Sequence, residues 1–158
     1  MTARNDEGMA RLPRFDHVGI TVADIDAVTG FFVALGLEVE GRTFVEGEFL
    51  ETVCGIPDSR TEIVMLTTPA GARLELARFV RPESVSGSGP GASGAAMPNE
   101  LGLRNVAFEV DDLDATIAWA AGEGYGLVGG AGEYEGAWRM AYVRAPEGII
   151  VSLTEHIG

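Results

Sequence analysis

Apolar and polar residues alternate along Phe15-Asp16-His17-Val18-Gly19-Ile20-Thr21-Val22, the two-residue period of a half-buried β-strand. On that period Phe15, His17, Gly19 and Thr21 share one face, and Asp16, Val18, Ile20 and Val22 share the other. The aliphatic face suits packing under a helix, whereas a histidine among small residues suits the wall of a cavity. The period then lengthens. Ile25, Val28, Phe31, Phe32 and Leu35 recur at helical spacing, with Asp24 as N-cap, Asp26 at the positive end of the helix dipole and Gly36 as a left-handed stop. Residues 37–41 read as a second strand. Residues 46–56 leave two alternatives open, because Phe49, Leu50 and Val53 fit one side of a short helix or an irregular strand. Residues 62–67 and 72–79 read as strands around Thr68-Pro69-Ala70-Gly71, a turn in which proline presets one dihedral and glycine permits a positive one.

The second half repeats the first. Residues 103–130 align without a gap on residues 15–42, at an offset of 88, matching Val18 with Val106, Asp24 with Asp112, Gly36 with Gly124 and His17 with Asn105. Further on, Pro146-Glu147-Gly148-Ile149-Ile150-Val151-Ser152-Leu153 repeats Pro69-Ala70-Gly71-Ala72-Arg73-Leu74-Glu75-Leu76 at an offset of 77, pairing Glu75 with Ser152. The difference between the offsets, 11, is the excess length of the first half around residues 46–60, a candidate lid or a surface loop. Two such copies fused head to tail are expected to pack about a pseudo-twofold axis with equivalent positions facing each other. Between them, Gly, Ser, Pro and Ala dominate and cannot supply a core. The expected organisation is a leader at 1–12, a first module at 13–82, a linker at 83–100 and a second module at 101–158.

Composition narrows the partners. The chain has 158 residues, enough to bury roughly two-thirds of its unfolded surface without disulfides or a structural metal. Its 24 acidic and 11 basic residues, with no basic cluster, argue against nucleic acid and anionic membranes. Cys54 has no second cysteine to pair with, no signal segment is evident, and no apolar run approaches the ~20 residues that span a bilayer. A cytoplasmic protein is expected. For chemistry, Glu75 stands out: alternation sets Arg73, Glu75 and Ala77 against Leu74, Leu76 and Arg78, and an acidic residue between two leucines calls for a partner or a metal.

These features together resemble the vicinal oxygen chelate superfamily, which includes glyoxalase I, methylmalonyl-CoA epimerase, extradiol dioxygenases and the fosfomycin and bleomycin resistance proteins. The motifs that carry the resemblance are Asp16-His17-Val18-Gly19 before a capped helix, Pro69-x-Gly71-x-x-Leu74-Glu75-Leu76, and their echoes in the second half. The resemblance implies an α+β fold of two βαβββ modules whose curved mixed sheets enclose a cleft. It also implies a divalent metal (Zn, Mn, Ni, Co or Fe) on His17 and Glu75, with Glu75 as ligand or proton-transfer base. Asn105 and Ser152 stand where two further ligands would be and are expected to line the pocket. Tyr142 matches a position where related resistance enzymes place a cleft tyrosine. The implied function is a small-molecule enzyme of the glyoxalase or epimerase type, a lyase or isomerase acting next to a carbonyl, in a homodimer. The alternative is a metal-independent binding protein of the bleomycin-resistance type, and an extradiol-type dioxygenase ranks last, since only two histidines are present.

Overall fold

A computed structural model describes residue 12, residues 14–85 and residues 97–158. The rest of the expected leader and residues 86–96 of the expected linker lie outside the described residues. The first module runs β1 (Val18–Thr21), α1 (Ile25–Leu35), β2 (Glu38–Glu46), α2 (Glu48–Cys54), β3 (Arg60–Thr67) and β4 (Arg73–Arg81). The second runs β5 (Val106–Glu109), α3 (Leu113–Gly122), β6 (Gly132–Tyr134), β7 (Trp138–Arg144), a single 3-10 turn at Pro146–Gly148, and β8 (Ile150–His156).

Local chemistry explains the helix boundaries. The Asp24 carboxylate accepts from the Ala27 amide, and Asp112 accepts from Ala115 in the same way. Each cap satisfies an amide that the first helical turn leaves without a partner. Gly36 ends α1 at φ +128°, where a side chain would be strained. Residues 48–54 form a helix, which settles the ambiguity at 46–56 and fills most of the 11-residue excess.

Each module folds into one four-stranded mixed sheet, ordered β1-β4-β3-β2 and β5-β8-β7-β6, with the first two strands of each parallel and the rest antiparallel. The two sheets do not close into a barrel. Register reproduces the repeat: Gly19 lies opposite Glu75 and Met65 on its other side, while Ala107 lies opposite Ser152 and Tyr142 on its other side. This is the duplicated βαβββ architecture.

Two strands differ from their sequence reading. β1 starts at Val18, so residues 15–17 escape the pleat, and Phe15 is 82% exposed instead of sharing a face with Gly19 and Thr21. Residues 125–129, the counterpart of 37–41, contribute one isolated bridge from Leu127 to Val143, and β6 has only three residues. Gly126, Gly129, Gly130 and Gly132 explain this, because glycines lose most entropy on ordering and offer no side chain to pack.

One core serves both modules. Val64, Leu66, Leu74 and Leu76 face it from the first sheet, Val143, Val151 and Leu153 from the second, with Val28, Phe32 and Leu113 from the helices. The Phe31 ring meets Trp119 at 5.6 Å and Tyr125 at 5.2 Å, and Phe32 meets Phe108 at 6.1 Å. Since Phe32 is fully buried at this junction, truncating it would cost about 3–5 kcal/mol. No helix among the described residues is long and apolar enough to cross a membrane.

Candidate functional site

The face of the first sheet away from α1 carries Arg73, Glu75 and Ala77 on β4, with Gly19 beside Glu75. Just before β1, His17 places its Nε2 3.5 Å from Glu75 Oε2, both side chains being about one-third exposed or less. The other ring nitrogen, Nδ1, donates to Asp16 Oδ2 at 2.6 Å. Alternation had put Asp16 on the opposite face from His17. Because residues 15–17 precede the strand, the pleat does not separate the two side chains, and Asp16 turns to meet the ring.

Asp16 is itself well held. Beside the hydrogen bond from His17, Arg14 lies at 3.2 Å and Arg73 at 3.5 Å. The His17 hydrogen bond, aided by the two guanidinium charges and opposed by burial, lowers its pKa from 3.8. Arg73 is fixed in turn by Glu40, donating from Nε at 3.0 Å and from Nη2 at 3.1 Å. Sequence reasoning missed Asp16 and Arg73. The signal available was the adjacency of Asp16 and His17 and the position of Arg73 on the face of Glu75.

The donor chemistry can be tested against a metal. An ionised carboxylate only accepts hydrogen bonds, so Nδ1 carries a ring hydrogen, and Nε2 is left to face Glu75 either through a second ring hydrogen or as a lone pair toward a cation. A lone pair facing a carboxylate oxygen is unfavourable unless a cation or a proton lies between them. Two ligands bound at about 2.1 Å and near the tetrahedral angle lie about 3.4 Å apart, close to the observed separation. A carboxylate on the far nitrogen is also how metal-ligating histidines are commonly oriented. His17 and Glu75 therefore fit as two ligands. Among the described residues no three His, Cys, Asp or Glu side chains converge, so further positions would fall to water, substrate or neutral oxygens.

The second sheet keeps the geometry and changes the groups. Ser152, buried, lies opposite Tyr142 on β7. His156, at the exposed end of β8, packs its ring on Trp138 at 4.6 Å. Asn105 lines a cavity of about 360 Å³ between β1 and the segment leading into β5, together with Gly19, Thr21, Leu101, Leu103 and Arg104. A larger cavity of about 980 Å³ runs between the end of α1, residues 68–74 and β5 with α3, and holds none of the expected site residues. His17 and Glu75 border neither cavity, although Gly19 links the smaller one to Glu75. A Cβ at Gly19 would come 3.9 Å from Glu75 Oε1, an ordinary contact distance, so this oxygen lies beside Gly19.

The duplicated βαβββ architecture, with a histidine just ahead of β1 beside a glutamate of β4, points to one superfamily, and the comparisons show it. Residues 16–142 match the Glyoxalase/Bleomycin resistance protein/Dioxygenase superfamily, and the chain belongs to it. A glyoxalase family protein from Bacillus cereus is 37% identical, with a TM-score of 0.88 over 96% of this chain and 99% of that one. The trypanothione-dependent glyoxalase I of Leishmania major shares the fold at 20% identity, TM-score 0.65, over 91% of this chain and 87% of that one. A fosfomycin resistance protein from Listeria monocytogenes does so at 15% identity, TM-score 0.58, over 94% and 95%. None of the functionally curated proteins matches the chain.

Proposed function

We propose that this chain is a small-molecule enzyme of the glyoxalase type, transferring a proton at a carbon next to a carbonyl, with His17 and Glu75 as ligands of a divalent ion. The observation that carries the reading is the Asp16–His17–Glu75 chain, 2.6 Å at Nδ1 and 3.5 Å at Nε2. Asp16 selects the tautomer and orients the ring, leaving Nε2 as a donor to a cation. Glu75 divides its oxygens, Oε2 toward His17 and Oε1 beside Gly19, where it can take a proton from a substrate carbon. The ion, when bound, would polarise the substrate carbonyl. Proton transfer through one base is favoured over two-base epimerisation, because the repeat puts Ser152 where a second carboxylate would stand.

A second reading, a metal-independent binding protein, is supported by the lack of a third strong ligand among the described residues. Elemental analysis of protein purified without a metal-affinity step separates the two. Near-stoichiometric Zn, Mn, Ni, Co or Fe that is lost in His17→Ala is expected. Asp16→Ala, which removes only the orienting carboxylate, should weaken binding about 10- to 100-fold. Metal-free protein that takes up none of these ions would favour the binding protein, and equal uptake by His17→Ala would remove His17 from the site.

A further inference from the structure

We propose that Arg104, assisted by Asn105, anchors the carboxylate of a small aliphatic acid in the cavity between β1 and the lead-in to β5; this deepens the enzyme reading by naming its substrate class. The offset that pairs His17 with Asn105 and Glu75 with Ser152 also pairs Asp16 with Arg104. A carboxylate, an imidazole and a carboxylate in one half become a guanidinium, an amide and a hydroxyl in the other. By residue type the first copy suits a cation and the second an anion, and of the second set Arg104 and Asn105 border the cavity.

Arg104 also stands apart in the charge network of the described residues. Arg14, Arg42, Arg60, Arg73, Arg78, Arg81 and Arg139 each hold at least one carboxylate. Arg104 has no hydrogen bond or ion pair among the described residues. Arg104 is exposed where it borders the cavity, and a planar guanidinium matches a carboxylate in two parallel hydrogen bonds.

The cavity determines what accompanies that carboxylate. Its volume of about 360 Å³ lies at the small end for ligand sites. Val18, Ile20, Ile149 and Ile150 supply apolar wall, and Leu101 and Leu103 stand 105% and 89% exposed beside it. Glu100 lines the same space, with Oε1 accepting from the Met97 amide at 3.3 Å. One carboxylate beside one guanidinium suits a monoanion better than a phosphate dianion. Gly19 belongs to the cavity and is the register neighbour of Glu75, so an acid held by Arg104 lies along the strand that borders the proton-transfer group.

The test uses the full chain stripped of metal, so its outcome is independent of the ion at His17 and Glu75. Amide chemical shifts are followed by NMR during titration with hexanoate, 2-oxohexanoate and the neutral hexanamide. Both acids should shift amides at residues 19–21 and 104–106, and hexanamide should bind at least tenfold more weakly. Arg104→Gln should weaken acid binding tenfold or more, to the level of the amide, and Arg104→Lys should restore part of it; both variants should keep the wild-type unfolding midpoint. Hexanamide binding as well as hexanoate, an unchanged affinity in Arg104→Gln, or no acid binding in this cavity would each overturn the proposal. None of these results alters the metal content by which the enzyme reading is judged.

Discussion

Glu147 ties the two modules together in a way that substitution can measure. Its carboxylate accepts from the Ala23 amide at 2.7 Å and the Asp24 amide at 2.8 Å, just ahead of α1 in the other module. The repeat puts Ala70 at the equivalent position, so the other junction lacks this carboxylate. A hydrogen bond to a charged group contributes about 1.5–3 kcal/mol when shielded. This clamp is exposed, and water can take over the freed amides, so about 1 kcal/mol per bond is the better figure. Glu147→Ala should therefore destabilise by about 2 kcal/mol, an unfolding midpoint about 4–8 °C lower for a chain of this size. Glu147 also sits at φ +60°, a conformation that costs a residue with a Cβ roughly 1 kcal/mol. Alanine keeps that strain and glycine relieves it, so Glu147→Gly should cost only about 1 kcal/mol. Urea unfolding followed by tryptophan fluorescence reads both variants. An alanine variant within about 0.3 kcal/mol of wild type would refute the clamp, and a glycine variant less stable than alanine would refute the strain term.

Two further outcomes follow from side chains far from the junction. Asp16, Glu46 and Asp114 have pKa values held below their ordinary 3.8, 4.5 and 3.8, chiefly by hydrogen bonds from His17, Arg60 and Arg139. A carboxylate with a depressed folded pKa adds stability above its unfolded value and gives it up as pH falls through the folded one. The urea midpoint should hold from about pH 7 to pH 5 and fall below that, and a midpoint unchanged at pH 3 would contradict the reasoning. Thr61 is 2% exposed and its hydroxyl has no partner among the described groups. Replacing it with the isosteric valine should stabilise by about 1 kcal/mol, and a loss of stability would mean that the hydroxyl is satisfied in solution.

Much of the fold was legible because each signal was local and occurred twice. The caps Asp24 and Asp112 bond amides three residues away, a reach that spacing alone defines. The two offsets fixed which residues are equivalent, and the strand register obeys them at Glu75 and Ser152. Less legible were the strand ends. Alternation cannot say where pairing stops, and at residues 15–17 that point decides whether Asp16 opposes His17 or bonds to it.

By itself, then, the sequence determined the duplication, the caps and the core-facing positions, with Glu75 opposite Leu74 and Leu76, since all of these depend on periods of two and 3.6 residues or on short spacings. Only the tertiary structure decided that Asp16 meets His17, that Arg73 is taken by Glu40, that Arg104 borders a cavity, and that Glu147 reaches the amides ahead of α1. Each is a side-chain contact between segments brought together by strand pairing and module docking, or freed from the pleat by a strand end. Spacing along the chain carries no information about which of several equally charged neighbours a carboxylate or guanidinium will meet.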